Sequence, residues 1–338
     1  MASTLNRLGS VAFLALLAAG AGCERRATYA QSREVMGTLA AVTAVAPDRA
    51  TAQAAVEAAY ARLNDVNSLM SDYVADSEIG RLNRLSAGQA LEVSPETFAC
   101  LERGLEICRL RGGAFDPTCR PLVELWRQAA LRRELPAPQE IAAAQARVGW
   151  QMLKLDGARR TVALSVEGMQ VDLGAIAKGY ACDLAAEAMK RAGATGGLVD
   201  VGGDIVAFGM RQDGKPWRIG VRHPFQDGLF AKLELTDAAV ATSGVQQRFY
   251  EIDGKRYSHI LDPRTGWPAE QSPSVTVIAA DGLTADAWAT ALSVLSVAEG
   301  QALIEAGRAP GVEAMWISGT AAEPTVTQTR HFGCYVVD

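Results

Sequence analysis

Two short runs carry the residue types that do chemistry. The first is His259-Ile-Leu261-Asp262-Pro263-Arg-Thr265-Gly266, which crowds one of three histidines against a carboxylate, a proline-set turn and a glycine. Loops of that composition hold polar groups towards a ligand. The second, Ala285-Asp286-Ala-Trp-Ala-Thr290, sets a carboxylate and a hydroxyl four residues apart, hence on one face if the segment is helical. Both are oxygen donors that suit a hard cation. Residue types alone leave a second role open for each. Asp near a helix start is often a cap, Thr inside a helix often bonds back to the preceding turn, and a lone histidine is often a satisfied, half-buried one.

Four glycine-rich segments add main-chain donors and acceptors: Gly112-Gly113-Ala114-Phe115-Asp116-Pro-Thr118, Asp172-Leu-Gly174-Ala175-Ile-Ala-Lys178-Gly179-Tyr180, Asp200-Val-Gly202-Gly203-Asp204 and Thr242-Ser243-Gly244. Glycine lets backbone approach a ligand or adopt positive φ, so each can present N–H or C=O groups to a phosphate or metal. Any one of them reads as a tight turn, and Lys178 alone as a solvated lysine. Their number, each with Asp, Lys, Ser or Thr at its edge, points to a site.

The elements that must position these residues follow from periodicity and caps. Residues 33–45 read as one strand, a small and β-branched run without a helical stripe. Apolar residues at three-and-four spacing predict a helix from 49 to about 70, and Ser94-Pro95-Glu96 opens another that ends before Gly112-Gly113. Residues 122–128 and 136–148 look helical, 152–155 and 161–164 look like a hairpin, and 172–193 is a loop followed by a helix. Strands are expected over 197–206, 217–222, 231–235, 239–242 and 275–279, then a helix over 283–295. With no clear linker and no internal repeat, the fold class is α+β, a single large mixed domain over 33–338.

At 338 residues, 49% apolar and 21% charged, the chain can bury a sizeable core. A net charge of −5 without a dense Lys/Arg block gives no reason to expect a nucleic-acid partner. Arg7, the apolar stretch 11–19 and the small residues before Cys23 read as an export signal over 1–22, too short to span a bilayer stably. Gly-Ala-Gly before Cys23 resembles a bacterial lipoprotein cleavage box, with a short tether over 23–32 behind a lipidated cysteine; an ordinary cleaved secretory signal is the alternative. The expected location is the periplasmic side of the inner membrane. The other five cysteines lack C-x-x-C spacing, so neither a zinc site nor a complete disulfide set is indicated.

The chain resembles the FAD:protein FMN transferase family, the ApbE-like flavin transferases. The resemblance rests on Met36-Gly37-Thr38, Gly113-Ala-Phe-Asp116-Pro-Thr118, Asp172-Leu-Gly-Ala-Ile-Ala-Lys178-Gly-Tyr180-Ala-Cys-Asp183, Val201-Gly-Gly-Asp204, Ala241-Thr-Ser-Gly244, His259 to Gly266 and Ala285 to Thr290, in that order. It implies a Mg2+-dependent transfer of FMN from FAD to a Thr or Ser hydroxyl on a partner protein, here an exported or membrane electron-transfer subunit, with release of AMP. Asp286 and Thr290 would bind Mg2+ through side-chain oxygens and Ala175 through its backbone carbonyl. Lys178 would lie near the FAD and Leu261 would pack against it. Met36, Tyr73 and Asp116, with Ala114 and Phe115 beside it, match positions lining the flavin and adenine pocket. The attacking hydroxyl must lose a proton, and a neutral imidazole is well tuned for that near pH 7. His259 is therefore the candidate base, with Asp262 orienting it or contacting the ligand. Val245-Gln246-Gln247-Arg248 stands where the family commonly has an aromatic residue, a departure expected to act on acceptor choice. Two other readings use the same motifs: a Mg2+-dependent FAD pyrophosphatase giving FMN and AMP, and a non-catalytic FAD-binding lipoprotein.

Overall fold

An antiparallel sheet of eight strands organises the chain. Its order is β1 (Ala27–Val35), β2 (Thr38–Ala46), β6 (Gly196–Val201), β7 (Asp204–Gly209), β10 (Ala238–Gly244), β13 (Ser274–Ala279), β14 (Glu313–Gly319) and β15 (Pro324–Gln328). The computed structural model describes residues 26–110, 112–244, 249–270 and 274–338. The expected signal at 1–22, Cys23 and the departure at 245–248 lie outside the described residues.

Alternate residues of a strand point to opposite faces, and here both faces are covered. On β10, Ala239 and Ala241 join one core cluster while Ala238 and Val240 join the other. The first face carries the helices α1 (Arg49–Met70), α6 (Ala177–Arg191) and α7 (Gly282–Val294). The second carries a three-stranded sheet of β8 (Trp217–Arg222), β9 (Leu229–Leu235) and β16 (Val336–Val337). Burial on both sides is why β13 is buried at every position, the hydroxyl residues Ser274 and Thr276 included.

Around this frame stand α2 (Glu78–Leu82), α3 (Pro95–Leu110), α4 (Arg120–Arg132), α5 (Pro138–Gln145) and α8 (Val297–Glu305). A small sheet contains β3 (Ala90–Glu92), β4 (Leu153–Asp156) and β5 (Thr161–Leu164), and a hairpin pairs β11 (Phe249–Ile252) with β12 (Lys255–Ser258). The apolar spacing read for α1 holds, with Ala52, Ala55, Val56, Ala59, Leu63 and Val66 as the buried stripe, and the structure adds an N-cap, Asp48, which accepts the Thr51 N–H at 2.8 Å.

Two single-strand readings fail for one reason. Residues 33–45 form a hairpin whose turn is Met36-Gly37, both left-handed at φ 53° and 69°, and Val35 pairs with Thr38. Residues 197–206 form another, turned at Gly202-Gly203 with φ 67° and 98°. In each a two-residue turn sits inside a strand-like run: Gly202-Gly203 is itself a hairpin signal that the single-strand reading passes over, whereas at Met36-Gly37 only Gly37 marks the reversal. Residues 27–32, read as part of a tether, belong to β1, which pairs with β2 along its length. Past residue 295, α8, β14, β15 and β16 had no counterpart among the sequence expectations.

Candidate active site

The site is built on the crossing of α6 and α7, which approach until backbone meets backbone. A Cβ on Gly179 would lie 2.0 Å from the carbonyl oxygen of Gly282, and one on Gly282 would lie 2.4 Å from that of Gly179. Only glycine permits this approach. It lets Asp286 Oδ2 accept the Gly179 N–H at 3.1 Å. Gly179 lies in the first turn of α6, whose N-cap residue Ile176 makes no side-chain cap, so a carboxylate from α7 supplies the missing acceptor.

Lys178, one residue earlier, extends its amino group to 3.7 Å from Asp286 Oδ2 and pairs closely with Asp204 Oδ2. Asp204 is the first residue of β7, delivered by the Gly202-Gly203 turn. Asp286 and Asp204 are only 3% and 5% exposed. Burial raises the Asp286 pKa, and the Asp204 carboxylate raises it further, against the pull of Lys178. Burial alone would depress Lys178, but Asp286 and Asp204 outweigh it and keep the lysine protonated. Two buried carboxylates share one lysine, which leaves a surplus of negative charge when both ionise. Thr290 is half-buried one helical turn beyond Asp286, and Ala175 lies in the turn entering α6. Among the described residues no group of three or more His, Cys, Asp or Glu could hold a metal. The donors at hand are a carboxylate, a hydroxyl and a main-chain carbonyl, types that fit a hard divalent cation completed by water and phosphate oxygens.

The other loops are tied to neighbouring segments by main-chain and side-chain contacts. The Asp172 N–H donates to the Pro117 carbonyl at 2.8 Å, tying the segment before α6 to the Asp116 turn. Arg264 Cγ lies 3.7 Å from where a Gly113 Cβ would be. The Gly202 N–H donates to the Leu39 carbonyl at 3.2 Å, so the Met36 turn lies at the same end of the sheet as Asp204. His259 follows β12 and is half-buried. Asp262 is engaged by Arg264: Oδ1 accepts its backbone N–H and Nε–H at 2.9 Å, and Oδ2 accepts from Nη2 at 2.8 Å. Trp126 Nε1 donates to the Gly266 carbonyl at 2.8 Å and anchors the loop on α4.

Residues 36–316 match the ApbE family. A Vibrio cholerae protein named FAD:protein FMN transferase is 35% identical over 90% of this chain and 92% of its own length. The chain belongs to the ApbE family. A Treponema pallidum protein of the same name is 34% identical over 88% of the chain and 86% of its own length. Among solved structures, the apo Pseudomonas stutzeri flavinyl transferase ApbE superposes with a TM-score of 0.80 at 32% identity, covering 92% of this chain and 97% of that one. The Thermotoga maritima ApbE protein gives 0.83 at 30% identity, covering 92% and 100%. The single mixed α/β domain expected from sequence is thus the ApbE fold.

Within this ApbE chain the predicted residues fall into different surroundings. Lys178 is a partner of two buried carboxylates, not a solvated lysine, and Asp286 caps α6, the helix it crosses, in place of its own. Tyr73 is 74% exposed, accepts a 2.8 Å hydrogen bond from Arg127 and has the Arg120 and Arg127 guanidinium carbons 5.5 and 5.4 Å from its ring centre. Met36 is half-buried in its turn. Ala114 and Phe115 are core residues, so their side chains face the interior. Leu261, 7% exposed, packs with Leu122, Trp126 and Tyr257. Asp116 is buried and already satisfied: Oδ1 accepts from the Thr118 N–H and hydroxyl at 2.8 and 2.6 Å, Oδ2 from the Trp150 N–H at 2.9 Å. Sequence reasoning missed Asp204, Asp183, Arg120 and Arg127. The first two stand inside motifs already singled out, while the arginines of α4 carry no local signal.

Proposed function

We propose that this ApbE-family chain transfers FMN from FAD to a Thr or Ser hydroxyl of an exported or membrane electron-transfer protein, forming a phosphoester in a Mg2+-dependent reaction and releasing AMP. The observation that carries this reading is the buried carboxylate of Asp286, held by the Gly179 N–H and faced by Lys178 and Asp204. The near full-length likeness to proteins named FAD:protein FMN transferase supports it.

In this reading Asp286, Thr290 and the Ala175 carbonyl hold the metal. Mg2+ bound there supplies neutralisation of the pyrophosphate charge. The acceptor hydroxyl attacks the FMN-side phosphorus, the bond from that phosphorus to the AMP phosphate oxygen breaks, and the hydroxyl proton passes to His259. Lys178, kept protonated by its two carboxylates, offers a fixed positive charge beside the phosphates. Tyr73 presents an exposed aromatic ring for stacking, with Arg127 beside it as a phosphate-compatible cation, while Arg120 is paired with Asp72. The chain is read as exported and lipid-anchored at Cys23, on the strength of Arg7, the apolar stretch 11–19 and the small residues before Cys23.

The test is to incubate the purified protein with FAD, Mg2+ and a candidate acceptor domain and record the acceptor's intact mass. A gain equal to FMN that EDTA abolishes is the expected result. Mg2+-dependent AMP and free FMN without any gain on any acceptor would point to hydrolysis, and FAD left intact would overturn the enzymatic reading.

A further inference from the structure

The α6–α7 crossing is held at a second point that the transfer chemistry leaves unused. Asp183 lies one turn beyond Gly179 on the same face of α6. Its carboxylate reaches across the crossing: Oδ1 accepts the Gly282 N–H at 2.7 Å and Oδ2 the Leu283 N–H at 2.9 Å. These are the first two residues of α7, and Asp281, its N-cap, takes the third N–H, that of Thr284, at 2.7 Å. The free N–H groups that open a helix are thus shared between a local cap and a carboxylate from the neighbouring helix.

The arrangement is reciprocal. Asp286 of α7 caps the first turn of α6 through Gly179, while Asp183 of α6 caps the first turn of α7 through Gly282 and Leu283. Asp286 lies four residues after Gly282, so the end of α7 that Asp183 grips is one turn from the carboxylate facing Lys178. The Asp286–Gly179 bond is a single contact at 3.1 Å, whereas Asp183 makes two shorter ones. A carboxylate on helix N-terminal N–H groups is also favoured by the helix dipole. Asp183 is therefore the stronger clamp, and its removal leaves the register of the crossing to the weaker one.

We infer that Asp183 is a positioning residue for FMN transfer: by gripping the first two N–H groups of α7 it fixes where Asp286 stands relative to Lys178 and to the metal. The inference rests on the function proposed above. It predicts that Asp183→Ala weakens Mg2+ binding by about tenfold or more, the usual effect of removing a support behind a metal ligand, while FAD affinity changes less than about twofold.

The experiment uses the full-length protein purified in detergent. Calorimetric titration with MgCl2 alone is compared with the Mg2+ half-saturation of transfer and with FAD binding followed by flavin fluorescence, for wild type, Asp183→Ala and Asp183→Asn. Asp183→Asn keeps one acceptor oxygen, so its loss of Mg2+ affinity is expected to fall between the other two; it also carries the test should Asp183→Ala fail to fold. Wild-type Mg2+ affinity in the folded fraction of the variants, with only a lowered Tm, would overturn the inference and make Asp183 a structural cap. If wild type transfers no FMN, the proposed reaction fails, and the calorimetric comparison still decides Asp183.

Discussion

Adding one carbon at Gly179 tests the helix crossing directly. Gly179 is helical, without the positive φ that would bar a side chain, so Gly179→Ala changes packing and not backbone strain. The new Cβ would sit 2.0 Å from the Gly282 carbonyl oxygen and 2.8 Å from the Asp286 Cβ. Reaching even the 3.0 Å floor of real Cβ contacts requires α6 and α7 to part by about 1 Å, and the obstacle is backbone, which cannot rotate away. Overpacking of this kind costs up to about 3 kcal/mol, and the better helix propensity of alanine returns about 1 kcal/mol. A net loss of about 2 kcal/mol corresponds to a Tm lower by roughly 5 °C. Transfer should suffer more, since misplacing a reacting geometry by about 1 Å can cost on the order of 100-fold. Gly104→Ala in α3 is the control: its Cβ would meet Ile176 Cδ1 at 3.5 Å and Phe115 Cε1 at 3.9 Å, ordinary contacts. It should gain about 0.5–1 kcal/mol with transfer unchanged. Thermal unfolding and acceptor mass measured side by side decide the matter. A Gly179→Ala protein with wild-type Tm and wild-type transfer would refute the argument that close approach at this crossing builds the site.

Asp286→Asn keeps an acceptor for the Gly179 N–H but removes the charge. It should lower transfer by about 100-fold and abolish its Mg2+ dependence with FAD binding retained; full specific activity in the folded fraction would reduce Asp286 to a cap. His259→Ala should lose about 10²–10⁴-fold in transfer, the usual worth of general base catalysis, with FAD binding kept; undiminished transfer would remove it as the base. Burial raises Asp183 from the ordinary 3.8 to about 7 and raises Asp286 in the same direction. The folded state therefore holds these protons more tightly than the unfolded one, and the stability they contribute is fully present below 3.8 and lost as pH rises through about 7. In EDTA the Tm should be higher at pH 5.5 than at pH 8 on account of these groups, and Asp183→Asn should flatten that slope. An unchanged slope would contradict the assignment.

What the sequence determined by itself was local and chemical. The stripe of α1, the Ser-Pro start of α3 and the β4–β5 hairpin each rest on signals a few residues long, and such signals survive folding because they fix φ, ψ and hydrogen bonds among neighbours. The residue types of the candidate site were equally legible: Lys178, Asp286 and Thr290 stand in motifs whose chemistry can be named without coordinates. Only the tertiary structure decided which groups meet. The Lys178–Asp204 pair spans 26 residues and the Gly179–Asp286 bond spans 107, and no local pattern encodes either. It also decided which side chains are spent on packing. Leu261 and Phe115 stand in core clusters, because apolar surface is removed from water wherever the fold has room for it. Met36-Gly37 and Gly202-Gly203 became hairpin turns because pairing β1 with β2 and β6 with β7 satisfies the backbone groups of those segments, which a single long strand would leave to other partners. Asp183, one residue among many in a recognised motif, acquired its place only when α7 was laid across α6 and its first N–H groups needed an acceptor.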